Sequence, residues 1–150
     1  MPSKDMIGRV LSTGSATVTA EHVVAFARAL GDDDPLYVDS DTARRGPFGA
    51  LVAPPTYPIA FMTQALAGGM DTFLELGLDF ATLVHGEQEF EYVRPVKAGE
   101  VLGLTGRVAD VYEKTGSSGV LDFVVLETEG KDEGGKPVFY SRNVLISKRV

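Results

Sequence analysis

The sequence has 150 residues, the length of one ordinary domain, and 44% of them are hydrophobic, enough for a full core. With 23% charged residues and a net charge of −7, the composition excludes a disordered chain and argues against nucleic-acid or anionic-membrane partners, which would repel it. Cysteine is absent, which excludes disulfides and thiolate chemistry. No apolar run approaches the ~18 residues of a membrane span, and the first residues lack a secretion signal. We therefore expect one cytoplasmic domain over residues 1–150.

The first predicted helix lies between Thr19 and Gly31. Thr19 is a favourable N-cap and Gly31 a favourable stop. The apolar residues between them recur at i, i+3, i+4 and i+7 and form one face: Val23, Phe26, Ala27 and Leu30. Residues 7–18 before this helix are expected to contain a short strand.

A polar turn of three aspartates and Pro35 follows, and then a short helix at 41–45, for which Asp39 or Asp41 is the expected cap. A second helix is predicted from Pro54 and Pro55, because proline is tolerated in a first turn. Its residues through Leu66 are apolar nearly all round, which is typical of a buried helix. A short helix is expected at about 71–76.

From residue 87 the pattern changes to period two, which indicates strands. Gln88, Phe90 and Tyr92 alternate with glutamates, and three further strand-like runs follow at 101–112, 120–129 and 138–147. Turn residues between the runs favour hairpins, so we expect the four strands to form an antiparallel meander. A buried helix followed by such a meander predicts an α+β domain in which the sheet curls round the helix.

Four strings, taken in order and spacing, resemble the MaoC-like dehydratase branch of the hot-dog fold. They are GDDDPLYVD (31–39), LVAPPTY (51–57), HGEQEF (85–90) and YVRPVKAGE (92–100). The resemblance covers the chain from about Ile7 onward and extends to the stand-alone N-terminal-type subunits of mycolic-acid-pathway dehydratases. It implies an antiparallel sheet wrapped around a long buried helix and (R)-specific hydration of enoyl thioesters, without a cofactor or a metal.

In catalytic members of this family an Asp and a His in the pattern D-x-N-P-x-H activate water, and a backbone N–H at the start of the buried helix holds the thioester oxygen. Carried over, the Asp is Asp32 and the Pro is Pro35, but Tyr37 occupies the His position. Tyrosine, with a reference pKa near ~10, is a poor base, although it can donate a hydrogen bond. Pro54 and Pro55 lack the N–H that the oxyanion needs. These departures predict a binding or scaffolding member of the family.

His85 is the candidate substitute base, beside Asp32 and Tyr37. Strict alternation places it with the glutamates, away from the helix, unless Gly86 carries a bulge that resets the parity. Two histidines and no cysteine argue against a zinc site. The candidate substrate-binding residues, for an acyl chain and for the phosphates of its carrier, are Pro54, Pro55, Thr56, Tyr57, Phe61 and Arg94.

Four functions stay open at this point. The resemblance favours the acyl-binding, dyad-deficient component of a (3R)-hydroxyacyl-thioester dehydratase that acts with a second hot-dog subunit, a copy of itself or a catalytic homologue. The alternatives are an autonomous enoyl-CoA hydratase that uses Asp32 with His85 or Tyr37, an acyl-thioester-binding regulatory subunit, and an acyl-CoA thioesterase. The thioesterase ranks low because residues 56–66 hold no acidic side chain. The sequence does not distinguish acyl-CoA from acyl carrier protein, or short chains from long ones.

Overall fold

The computed structural model describes residues 1–61, 74–117 and 119–149. Its helices are α1 (Ala20–Ala29), α2 (Pro35–Val38) and α3 (Ser40–Arg45), with 3-10 segments at Lys4–Met6, Tyr57–Phe61 and Phe80–Thr82. Its strands are β1 (Val10–Thr17), β2 (Val84–Tyr92), β3 (Val101–Gly116), β4 (Gly119–Lys131) and β5 (Pro137–Lys148).

Side-chain caps fix where the short helices begin. The hydroxyl of Thr19 accepts from the backbone N–H of His22 at 3.2 Å, and the carboxylate of Asp39 accepts from Asp41 and Thr42 at 3.0 Å each. These bonds satisfy N–H groups that have no partner inside a helix. Gly31, with φ +74, follows α1 in the left-handed conformation that glycine adopts readily. Both predicted helices are confirmed; α3 begins one residue earlier than predicted, at Ser40, with Asp39 as its cap.

The five strands form one antiparallel sheet in the order β1-β3-β4-β5-β2. Strands β3, β4 and β5 are joined consecutively, as the turn residues predict. The expected hairpin from β2 to β3 is wrong, because β2 pairs with β5 at one edge of the sheet. After β2 the chain leaves the sheet: the N–H of Ala53 donates to Val96 O and that of Ala98 to Leu51 O. The connection between β2 and β3 therefore pairs with residues 51–53 and does not form the tight turn of a hairpin.

A small cluster of Phe123, Val125 and Val144 lies on one face of this sheet. The two larger core clusters lie on the other face, which we call the inner face. Its first cluster joins α1 and the Tyr57–Phe61 segment to the middle of the sheet through Leu102, Leu104 and Phe139. A second cluster includes Leu76 and Leu145 and lies farther along the strands, with Val108, Val124 and Leu126. The helical segments therefore pack on the inner face of the sheet, and the predicted α+β arrangement is confirmed.

The predicted buried helix is described only at its start. Residues Tyr57–Phe61 form a 3-10 segment in which Tyr57 and Phe61 are buried. The rest of that prediction, and most of the short helix expected at 71–76, lie outside the described residues. Within the described ranges no helix is long and apolar enough to span a membrane.

Candidate functional site

The aspartates of the polar turn are engaged in local hydrogen bonds. Asp32 Oδ1 accepts from the N–H of Asp34 at 3.1 Å, and Asp34 Oδ1 accepts from the N–H of Leu36 at 2.8 Å and caps α2. Both carboxylates therefore shape the turn, which places Asp32 at the entrance of α2, half-buried.

Tyr37 lies on α2 close to both carboxylates. Its partial burial raises the pKa of the phenol above its ordinary value, and the negative charges of Asp32 and Asp34 raise it further. The hydroxyl is therefore protonated at neutral pH and serves as a hydrogen-bond donor. The structure brings Asp32 and Tyr37 together, as the family pattern predicts for those two positions.

The chain just before the Pro54–Phe61 segment contacts α2, because Val52 N–H donates to Leu36 O at 3.1 Å. Pro54 is fully buried, whereas Pro55 and Thr56 are exposed. The N–H of Thr56, directly after the two prolines, donates to no acceptor in the described part of the chain. The exposed Thr56 thus offers a backbone donor that no acceptor in the described residues uses.

The aromatic members of the segment belong to the core. The ring of Tyr57 meets those of Phe26 and Phe61 edge to face, with centroids 5.3 Å apart in both pairs. The ring of Phe61 lies 6.3 Å from that of Phe139. Burial raises the pKa of the Tyr57 hydroxyl. Tyr57 and Phe61 are therefore fixed in the core directly after Thr56.

Arg94 forms salt bridges with two acidic side chains of the same chain. Its guanidinium lies 2.8 Å from a Glu100 oxygen and 3.4 Å from an Asp132 oxygen, and it also donates to the Pro95 carbonyl at 3.1 Å. Backbone donation from Lys136 and the Arg94 guanidinium both lower the pKa of Asp132. Arg94 therefore fixes the turn after β2, and a phosphate would have to compete with two carboxylates for it.

His85 lies on β2 at a bulge. The register changes between His85 and Glu87, so that His85 stands opposite Leu145 and Glu87 opposite Val144. Leu145 belongs to the inner-face core. The expectation from strict alternation, which grouped His85 with the glutamates, is corrected by the bulge at Gly86. A Cβ on Gly86 would lie 3.0 Å from Ile146 Cγ1, so this position also favours glycine.

The structure does not bring His85 to Asp32 and Tyr37. Its exposed ring places Nε2 3.1 Å from Glu87 O, and a carbonyl only accepts, so Nε2 carries the hydrogen. In the described residues His85 has no hydrogen bond to Asp32 or Tyr37. Tyr92, which contacts Pro55, lies seven residues further along β2, roughly 20 Å at the usual rise of a strand.

Tyr92 is a site residue that the sequence placed on the helix-facing side of β2 but gave no role. Its hydroxyl donates to the carbonyl oxygen of Pro55. Burial raises the pKa of this phenol strongly. The alternating pattern of β2 predicts that Tyr92 points to the inner face. It does not reveal the acceptor, because Pro55 lies 37 residues away in the chain.

A groove of about 750 Å³ opens on the opposite, outer face of the sheet. Charged side chains such as Glu89, Arg107, Glu127 and Arg142 line it. Because it lies on the other face of the sheet, the groove is separate from the candidate site, and its charged lining does not suit an acyl chain.

The strand order and the core define a hot-dog fold, which solved structures share. A chain of the HadBC (3R-hydroxyacyl-ACP dehydratase) complex of Mycobacterium tuberculosis is 26% identical, with a TM-score of 0.79 over 95% of this chain and 98% of that one. The R-hydratase PhaJ1 of Pseudomonas aeruginosa, 19% identical, has the same fold with a TM-score of 0.70 over 96% and 83%.

The chain belongs to the family described as FAS1-like, dehydratase domain region, whose model matches residues 5–141. A relative from Streptomyces griseus subsp. griseus, a UPF0336 protein, is 34% identical over 97% of this chain and 94% of its own length. The resemblance to MaoC-like hot-dog dehydratases is thereby confirmed.

Proposed function

We propose that this chain is the acyl-binding, dyad-deficient component of a (3R)-hydroxyacyl-thioester dehydratase, working in the cytoplasm on acyl-CoA or acyl-carrier-protein thioesters. The observation that carries the proposal is the pair Asp32–Tyr37: the place of the family's basic histidine holds a phenol whose pKa is raised further above neutrality. Such a group does not take a proton from water at neutral pH. A second hot-dog subunit supplies the missing base.

The remaining site residues then bind the substrate. The free N–H of Thr56 donates to the thioester oxygen, where negative charge develops as the enolate forms. Tyr57 and Phe61 support the acyl chain from the core side, and the two prolines fix the backbone before Thr56. Tyr37 orients the substrate or the water by donating a hydrogen bond, and Asp32 holds the turn that presents it. The HadBC relative, itself a complex of a dehydratase, supports an assembly of this kind.

An autonomous hydratase is the second candidate, favoured by the proximity of Asp32 to Tyr37. Here Asp32 would be the base and Tyr37 a donor. His85 has no part in this version, because it lies far along β2 from Pro55.

The experiment follows the loss of enoyl absorbance of crotonyl-CoA and of a long-chain enoyl-CoA. The chain is assayed alone, and then with a hot-dog subunit that carries an intact D-x-N-P-x-H pattern. We expect negligible hydration alone and hydration by the pair. Hydration by the isolated chain that Asp32→Asn abolishes establishes the autonomous enzyme, whereas release of free thiol without hydration establishes a thioesterase.

A further inference from the structure

The inner face of the sheet is not apolar throughout. On β3 and on β5 the first core cluster ends at Leu104 and Phe139, and the second begins at Val108 and Leu145. The inner-face residues between the two clusters are small or polar, and they follow the pairing register across the sheet. We call this set the polar belt; its members are Ser12 on β1, Gly106 on β3, Thr128 on β4, Ser141 and Asn143 on β5, and Gln88 on β2.

Two atoms of the polar belt are buried without a hydrogen bond in the described part of the chain. Ser12 is 7% exposed, and its Oγ has no partner there; the same holds for Oε1 of Gln88. Gln88 Nε2 donates to the carbonyls of Glu89 at 3.2 Å and Arg142 at 3.3 Å, and a carbonyl only accepts, so the orientation of the amide is fixed. A buried polar atom without a partner is costly, so both atoms favour a polar group that the described residues do not supply.

The polar belt also leaves room on the sheet. Gly106 has no side chain, and Ser12 and Ser141 carry only a short hydroxymethyl group, whereas the rows on either side hold leucine, valine and phenylalanine. The belt therefore forms a shallow trough that crosses the strands from β1 to β2. Four strand spacings separate these two edges, which is roughly 19 Å. A trough of this shape suits an extended chain.

The β2 end of the trough lies near the candidate site. Phe90 stands opposite Ser141, in the same row of the register, and is two residues from Tyr92, roughly 7 Å at the usual rise of a strand. Tyr92 donates to the carbonyl of Pro55, next to Thr56. An acyl chain whose thioester lies at Thr56 can therefore enter the trough.

We propose that the polar belt binds a hydroxyl group on the acyl chain, remote from the thioester, and so selects hydroxylated chains over unsubstituted chains of the same length. This inference rests on the proposed function, since it specifies the acyl chain that the site takes. A hydroxyl can donate to Gln88 Oε1, which only accepts, and can bond to Ser12 Oγ as donor or acceptor. A methylene group satisfies neither atom, and a site built to bond a hydroxyl rejects the analogue that lacks it.

The test measures binding to the isolated chain by titration calorimetry. The probes are lauroyl-CoA and two hydroxylated forms of it, one with the hydroxyl at the middle of the chain and one with it at the end. We expect at least one hydroxylated probe to bind about tenfold more tightly than lauroyl-CoA. The double variant Ser12→Ala/Gln88→Met should bind all three probes alike. Ser15→Ala, at an exposed position on the outer face of the same strand, is the matched control and should keep the preference.

Equal affinity for all three probes, or a preference that survives in the double variant, would overturn the proposal. Stability gives a second readout, because Ser12→Ala removes a buried hydroxyl without a described partner and should leave the denaturation midpoint unchanged or higher. A large fall would mean that the hydroxyl is already bonded within the protein, which contradicts the inference. Lauroyl-CoA itself tests the proposed function: if it binds without any preference for hydroxylated probes, only this inference fails, and if no probe binds, both fail.

Discussion

The hydroxyl of Tyr92 donates a hydrogen bond to the carbonyl oxygen of Pro55 and thereby joins the edge strand of the sheet to the segment that carries Thr56. The ring of Tyr92 lies 6.3 Å from that of Phe139, within the same core cluster as Tyr57. The backbone before the free N–H of Thr56 is thus fixed from the side of β2.

Removal of this hydroxyl should loosen the segment. Tyr92→Phe keeps the ring and loses the hydrogen bond, so we expect a loss of about 0.5–1.5 kcal/mol in the free energy of unfolding. Denaturant titration measures it. Tyr140→Phe, on the outer face, is the matched control and should change stability little. Equal effects of the two substitutions would remove the structural role assigned to Tyr92.

Tyr37 is the position where a base can be restored. Tyr37→His recreates the spacing of the family pattern with Asp32, and an imidazole titrates near neutrality. We expect crotonyl-CoA hydration by the isolated chain to rise by about 10²-fold at neutral pH, the usual scale of general-base catalysis. Tyr37→Phe should give no rise. If histidine gives no more activity than phenylalanine, the absence of a base at this position is not what limits the chain.

High pH should destabilise the fold through its partly buried tyrosines, and Tyr37 should contribute a measurable part of the effect. Because burial and two carboxylates raise its pKa in the folded state, its contribution to stability is fully present below pH about 10 and is lost as the pH rises through the raised value. Thermal unfolding midpoints measured from about pH 8 to 11 should fall at the alkaline end, and Tyr37→Phe should fall less steeply. Identical pH dependence in the two proteins would contradict the raised pKa.

A side chain at Gly130 should destabilise the protein. A Cβ there would lie 2.7 and 2.8 Å from Cδ1 and Cζ of the buried Phe139 ring, whereas at Gly103 on the neighbouring strand the nearest atom, Lys131 O, is 3.9 Å away. Gly130→Ala forces the ring out of place and should cost about 1–3 kcal/mol of stability. Gly103→Ala should be nearly neutral. Chemical denaturation of both variants checks the contrast, and similar stabilities would refute it.

Local patterns in the sequence predict much of this fold. The cap at Thr19, the stop at Gly31 and the alternation along β2 each depend on neighbouring residues alone, and the structure has all three. The predicted hairpin from β2 to β3 is wrong, and β2 pairs with β5 instead. The connection after β2 is rich in turn residues, which suggest a hairpin, but its backbone groups bond to the earlier segment at 51–53.

The candidate site was harder to predict from the sequence than the fold. The nearness of Asp32 to Tyr37 follows from five positions of spacing, but the contact of Tyr92 with Pro55 depends on tertiary structure. For His85, one bulged glycine changes which residues it faces, and alternation alone cannot place such a bulge.

The most direct test of the central claim is a titration. Increasing amounts of this chain are added to a fixed amount of the hot-dog subunit with the intact D-x-N-P-x-H pattern, and the initial loss of crotonyl-CoA enoyl absorbance is recorded. A dyad-deficient, acyl-binding component predicts a rate that rises and saturates at an equimolar ratio. A rate that stays flat, or that grows in proportion to this chain when the second subunit is left out, would contradict it.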